Sequence, residues 1–402
     1  MIRSGIQALK LGYWPSLVGA WLHFEVSFMI WVLMGALGIA ISQEFGLSAT
    51  QKGFLVATPL LGGSVLRIFI GPLADHHGPK VIGLLILLLE VIALAFAWLW
   101  STNYLMLLGV GLLFGFAGAS FAIALPIASQ AYPPAHQGLA MGVAAVGNSG
   151  VLLATFLAPR LAEGFGWRNT FGFMMLPVIL TAVVFWVTVL PGSQSAGMRR
   201  SSSPWQLLRE ALSRKFMYWL CFLYGVTFGG FVGLSSFLPI FFHDQYDVSM
   251  VMAGTMTAFC GLAGSLARPF GGHLADRKGG LQLLQGVFPV VTILCIGLGQ
   301  LLPPSWAFPL SVSVLLLLGF GNGVVFQVAS LRFRNNMGTA SGLIGAAGAL
   351  GGFLLPAWFG ILKDLTGTFA SGFWVLACIA GFASVSILVI QRSREFSVPQ
   401  SG

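Results

Sequence analysis

Gly63-Ser-Val-Leu-Arg67-Ile-Phe-Ile-Gly-Pro-Leu-Ala-Asp75 returns 201 residues later as Gly264-Ser-Leu-Ala-Arg268-Pro-Phe-Gly-Gly-His-Leu-Ala-Asp276, identical at eight of thirteen positions. The offset is half of the 402-residue chain, so the protein is a duplicated unit. Both copies lie in apolar surroundings that read as membrane helices, and each arginine stands eight residues before the Asp that marks the helix end. At 1.5 Å of rise per residue this is about 12 Å into a hydrocarbon layer about 30 Å thick. A guanidinium at that depth costs at least ~2.5 kcal/mol, so two of them imply a polar cavity and an anion to fill it.

Outward from this repeat the composition agrees. With 57% hydrophobic and 8% charged residues the chain cannot make a soluble globule and reads as an all-α, polytopic membrane protein. Apolar stretches long enough to span occur at about 17–41, 53–74, 80–100, 103–125, 137–162, 169–190, 216–242, 248–275, 281–301, 307–330, 338–362 and 369–390. Twelve spans leave both termini on one side. Placing the termini in the cytoplasm puts Arg3, Lys10, Lys80, Arg199, Arg200, Arg209, Arg214, Lys215, Arg277, Lys278, Arg332, Arg334, Arg392 and Arg394 inside. Only Lys52, Arg160, Arg168 and Lys363 then lie outside. The expectation is a multi-pass protein of the cytoplasmic membrane with both termini inside. Its net charge of +9 is explained by topology and by contact with bilayer lipid; a folded basic face with stacking aromatics, as nucleic acid would need, is not evident. Cys221, Cys260, Cys295 and Cys378 lie on four different apolar segments without metal or redox spacing, and read as packing residues.

Residues 191–215 are the one long hydrophilic loop, with Arg199-Arg200-Ser-Ser-Ser-Pro204 followed by a basic amphipathic stretch. The chain therefore divides into an N-terminal six-helix half (1–190), a linker loop (191–215) and a C-terminal six-helix half with a short tail (216–402). The duplication extends to Gly138 and Gly142 on span five, matched by Gly338 and Gly342 on span eleven. Gly147 and Gly150 are likewise matched by Gly348 and Gly351. Glycine costs a helix about 1 kcal/mol relative to alanine, so this density implies close backbone approach. Two parallel repeats place a substrate site at the midplane between them.

The loop Gly71-Pro-Leu-Ala-Asp75-His-His-Gly-Pro-Lys80 and its echo Gly272-His-Leu-Ala-Asp276-Arg277-Lys278-Gly resemble the cytoplasmic gate motif of the major facilitator superfamily. Ion pairs from Asp75, Lys80, Asp276 and Arg277 could hold the halves together on that side and break as they rock apart. Taken with the two arginines, the glycine stretches resemble the signature of the nitrate/nitrite porter family within that superfamily. That signature has one arginine each on helices two and eight and glycine-rich segments on helices five and eleven. The resemblance implies the major facilitator fold, transport of nitrate or nitrite, and no cofactor or metal. By motif context it implies anion contacts from Arg67, Arg268, Asn148, Tyr224, Phe121 and Phe228, beside glycines 142, 147, 150, 342, 345 and 348. Some relatives carry a polar side chain where this chain has Gly345, which puts a hydrogen bond from that position in doubt.

The chemistry is coherent with these residues. Nitrate and nitrite are flat, weakly hydrated monoanions; guanidinium forks can donate in their plane while aromatic rings cover the faces. Importing an anion against an inside-negative potential costs about 2.3 kcal/mol per 100 mV, so net uptake needs accompanying protons, whereas exchange for nitrite does not. Glu25, some eight residues into span one, is the candidate proton carrier, its alternative being a structural hydrogen bond or a salt bridge to a buried arginine. Short members of the resembled family include importers with an acidic residue at this place, which points to nitrate–proton symport, with nitrate/nitrite antiport as the alternative. Glu90 on span three reads as structural. A porter of another small monoanion, or a nitrate sensor, are rival readings. An enzyme is least supported, because no paired carboxylates, activated nucleophile, phosphate loop or metal-spaced cluster is evident.

Overall fold

In a bilayer an apolar run can satisfy its own backbone only by coiling, which is why each predicted span becomes helix. The computed structural model describes residues 11–133, 136–190, 204–333 and 337–392. Among these residues twelve helices are long and apolar enough to cross a membrane. In the first half, α1 comprises Trp14–Trp31 and Leu33–Phe45, α2 is Ala49–His77 and α3 is Pro79–Trp100. Next come α4 as Tyr104–Gly118 and Phe121–Gln130, α5 as Gln137–Ala145, Val146–Ser149 and Gly150–Phe165, and α6 as Trp167–Thr188. In the second half, α7 comprises Lys215–Tyr224, Gly225–Gly229 and Gly230–Tyr246, and α8 is Met250–Lys278. After them come α9 Gly280–Gly299, α10 Pro304–Arg332, α11 Met337–Thr366 and α12 Ala370–Arg392. The first part of the expected linker, 191–203, lies outside the described residues; the rest includes a short helix, Pro204–Ser213. Several helices run a turn or so past the apolar stretch, because capping side chains carry them into the interface. Ser48 and Gln51 form a capping box at the start of α2, and Ser249 caps α8. Both copies of the repeat end alike, at Gly78 (φ 89°) and Gly279 (φ 84°), a backbone geometry that a Cβ would strain.

α1 and α7 are almost wholly enclosed, while α3, α6, α9 and α12 expose broad apolar faces suited to lipid. The two halves meet where α2 packs along α11 and α5 along α8. On the face away from the chain termini the meeting is tight. Gly35 of α1 takes the backbone of Ser236, Gly53 that of Pro356, and Gly360 that of Ala49, each without room for a Cβ. Polar ties reinforce it: Lys52 Nζ lies 2.6 Å from Asp244 Oδ2, and the first amides of α2, Ala49 and Thr50, donate to the Asp364 carboxylate at 3.2 and 2.8 Å. The contact runs inward to Ser64, whose hydroxyl donates to the Ala346 carbonyl at 2.8 Å, and to Arg67 against Gly345. Beyond that level, toward the face bearing the termini, Gly71 of α2, Gly138 and Gly142 of α5 and Gly342 of α11 have nothing within 4 Å of an added Cβ. The halves close on the far face and part on the terminal face.

Two expectations concern the parted face. Gly142 and Gly342 are not close-contact positions in this conformation, because the helix ends that carry them stand apart; Gly147, Gly150 and Gly348 are. Among the described gate side chains none pairs in this conformation: Asp276 and Arg277 are exposed, Lys80 is half-buried, and the ion pairs among the described residues are Lys52–Asp244, Arg168–Glu44 and Arg214–Glu210. The side chain of Asp75 lies outside the described residues. A methyl group on Gly150 would collide with the Glu25 carbonyl and fall 2.7 Å from the Met29 amide. Overpacking of that kind costs about 1–3 kcal/mol, so Gly150→Ala should lower the yield of monodisperse protein on size-exclusion chromatography, and Gly142→Ala should not. Equal yields from the two would remove the distinction.

Candidate functional site

Arg67 leaves α2 about one turn beyond Ser64, at the inner end of the contact between α2 and α11. Its Nε donates to the Gly118 carbonyl at 2.7 Å and its Nη1 to the Gly345 carbonyl at 2.8 Å. The first acceptor is available because α4 breaks after Gly118: the Ala122 amide turns to Ala119 instead, leaving the Gly118 oxygen for the guanidinium. The second belongs to the opposite half, so Arg67 bridges the two repeats. At position 345, which has no side chain, it is the backbone carbonyl that meets Arg67. Arg268 on α8 donates from Nη2 to the Tyr224 hydroxyl at 3.3 Å. Each arginine keeps one terminal nitrogen, Nη2 of Arg67 and Nη1 of Arg268, buried and without a partner among the described residues. Among the described residues neither arginine meets a carboxylate, and Glu25 is bonded to Ser149 instead. At 3% and 5% exposure they are nearly sealed.

Aromatic rings build the walls. Trp31, Phe228 and Phe121 lie 4.7, 5.3 and 5.7 Å from the Arg67 Cζ, and Phe121 and Phe326 lie 5.4 and 5.7 Å from that of Arg268. Phe121 is therefore shared by both cations. Tyr224 and Phe228 stack with centroids 5.0 Å apart and planes 2° from parallel. Tyr224 stands just before, and Phe228 within, a π turn at Gly225–Gly229, a widened helical turn of the kind common at functional sites. Gly348 of α11 makes room for the pair: a Cβ there would lie 2.8 Å from Tyr224 Cε1 and 2.9 Å from Phe228 Cδ1. Five residues proposed from sequence thus converge, Arg67, Arg268, Phe121, Tyr224 and Phe228; the sixth is Asn148 on α5. The last sits in a 3-10 turn whose three residues per turn set Gly147 and Gly150 against α1, the turn as a whole packing between α1 and α8. Its amide is 1% exposed, and neither Oδ1 nor Nδ2 has a partner.

Glu25 lies beside this turn, its Oε2 accepting from the Ser149 hydroxyl at 2.7 Å. Glu90 also turns inward although α3 is peripheral; it is fully buried, and its Oε1 accepts from Ser27 at 2.6 Å. Sequence reasoning missed Trp31 and Phe326. Trp31 is anchored by its indole N–H on the Pro59 carbonyl at 2.7 Å and packs on Gly63 and Gly118. The proline in α2 cannot bond the Leu55 carbonyl, and Thr58 takes that oxygen at 3.1 Å. Phe326 faces Phe121 with centroids 5.6 Å apart, at a spacing of 205 rather than 201 residues, so strict repeat matching passes over it.

The profile of the Major Facilitator Superfamily matches residues 20–356. A probable nitrate/nitrite transporter, NarK2, of Mycobacterium tuberculosis is 32% identical over 368 residues, covering 90% of each chain. The chain belongs to the nitrate/nitrite porter family of the major facilitator superfamily. The family makes it a transporter and not an enzyme, in line with the reading of the sequence. A probable nitrate/nitrite antiporter, NarK1, of Thermus thermophilus is 30% identical over 396 residues, covering 90% of this chain and 88% of its own. Among solved structures, the partially occluded inward-open xylose transporter XylE of E. coli superposes with a TM-score of 0.75. It covers 96% of this chain and 99% of its own at 14% identity, a likeness of fold.

Proposed function

We propose that this porter carries nitrate and nitrite across the cytoplasmic membrane by alternating access, with the anion held between Arg67 and Arg268. The observation that carries the reading is the pair of buried, unpartnered guanidinium nitrogens against one shared ring. Guanidinium forks donate in the plane of a flat anion and the rings of Phe121, Tyr224, Phe228 and Trp31 cover its faces. Asn148 and the Tyr224 hydroxyl add hydrogen bonds, and Gly147, Gly150 and Gly348 let the flanking helices come close enough. The lysine and arginine distribution supports termini in the cytoplasm, so that the parted face opens inward and Asp75, Lys80, Asp276 and Arg277 gate it.

In the finer reading, nitrate enters with protons, and Glu25 carries one. Its hydrogen bond to Ser149 makes it the neighbour of Asn148, so its charge is felt one residue from the anion. A second reading, exchange of nitrate for nitrite, is favoured by the absence of any carboxylate paired with the two arginines among the described residues. An empty site then holds two uncompensated cations, which favours transit of the loaded carrier. Counterflow in proteoliposomes separates the readings. Labelled nitrate should enter empty vesicles when a proton gradient is imposed; uptake that needs internal nitrite and ignores the gradient would establish exchange, and no uptake in either case would end the nitrate proposal.

A further inference from the structure

Asn322 of α10 lies outside the residues the family resemblance assigns. Its neighbours define its direction. Gly321 faces α7, where an added Cβ would stand 2.8 Å from the Thr227 Cγ2; Gly323 faces α8, against the Arg268 carbonyl and 2.7 Å from the Gly272 amide. At 100° per residue Asn322 projects between those two helices. Phe326, one turn on and on the same face, meets Tyr224 at 5.0 Å, Phe121 at 5.6 Å and the Arg268 Cζ at 5.7 Å. Asn322 therefore looks into the cage from the second half. It is fully buried, and neither its Oδ1 nor its Nδ2 has a partner among the described residues. Asn148 is the matching case from the first half: a sealed carboxamide with both polar atoms unsatisfied. The amide N–H groups of an asparagine left without an acceptor in a dry interior are destabilising, and a ligand oxygen relieves that cost when it binds.

We propose that Asn322 is an anion-binding residue that distinguishes nitrate from nitrite, its Nδ2 donating to the third oxygen that only nitrate has. The proposal rests on the nitrate/nitrite reading of the site. The two arginines, with Asn148 and the Tyr224 hydroxyl on the same two oxygens, serve all that nitrite presents. A third oxygen in a dry cage needs a donor of its own, and a site built to hydrogen-bond a substrate atom discriminates against an analogue that lacks it. The Oδ1 is left for a protein donor, and the Thr227 hydroxyl on the facing helix is likewise without a partner among the described residues.

The test is the concentration dependence of nitrate and of nitrite transport by the purified full-length protein in proteoliposomes, for wild type, Asn322→Ala and Asn322→Asp. Loss of one hydrogen bond to an ionic ligand should raise the KM for nitrate about 10- to 100-fold and leave that for nitrite and both maximal rates nearly unchanged. Asn322→Asp keeps the shape but presents acceptors, and should raise the nitrate KM further. A variant that lowers both transports equally, or alters neither, would make Asn322 a packing residue and overturn the inference. If alanine fails to yield folded protein, Asn322→Ser carries the same nitrate-to-nitrite comparison. Wild-type protein that transports neither anion would remove the parent reading instead, so the two failures are distinguishable.

Discussion

Arg67→Lys and Arg268→Lys are each expected to abolish nitrate transport in proteoliposomes while the protein remains monodisperse. Arg67 uses two of its nitrogens to bridge Gly118 on α4 and Gly345 on α11, and has a third free for the anion. A lysine ammonium is one point and cannot hold both carbonyls and a ligand oxygen at those positions. Each charge-assisted bond contributes about 1.5–3 kcal/mol, so losing even one or two lowers transport at least ~100-fold at the upper end of that range. Arg268 has less redundancy, with Nη2 on Tyr224 and Nη1 free, and its replacement should be as severe. Charge and cation–π attraction to the surrounding rings survive in both variants, which is why folding should. Nitrate uptake near the wild-type rate from either lysine variant would sink the proposed site. The crossing bond from Arg67 to Gly345 adds a mechanical consequence: it joins the halves at the level of the site, so opening the far face must break it.

Glu25→Gln is expected to remove proton-driven accumulation and spare exchange. Glutamine keeps an oxygen that can accept the Ser149 hydroxyl, so the tie between α1 and the broken turn of α5 persists while the titrating group is gone. At an inside-negative 100 mV, about 2.3 kcal/mol opposes entry of a lone monoanion, an exclusion of roughly 50-fold that only coupling can reverse. Vesicles carrying the variant should therefore fail to concentrate labelled nitrate under an imposed proton gradient, yet exchange it for internal nitrite at close to the normal rate. Accumulation with unchanged proton flux would make Glu25 a structural acceptor for Ser149 and nothing more.

Much of this molecule could be read before folding it. Hydrophobic runs gave twelve spans because a bilayer leaves the backbone only one way to satisfy itself, and the repeat at offset 201 gave two arginines at one depth. The glycine stretches were read as close contacts, and here the sequence could not discriminate. Gly150 and Gly142 belong to the same pattern, but one touches α1 and the other stands in the parted end of α5. The Gly150 contact is made inside the first half, whereas what Gly142 meets depends on how far the halves stand apart, and no local pattern encodes that.

The sequence by itself therefore determined the bilayer setting, the duplicated all-α architecture and the need for an anion near two buried cations, since each follows from hydrophobicity, periodicity and the cost of a desolvated charge. Only the tertiary structure decided which face is closed, that Arg67 spends two donors on backbone carbonyls of both halves, and that Trp31 and Phe326 join the cage. Those depend on where helices break and how they rotate against one another: the interrupted α4, the 3-10 turn of α5 and the π turn of α7 aim side chains by angles that a residue spacing does not carry.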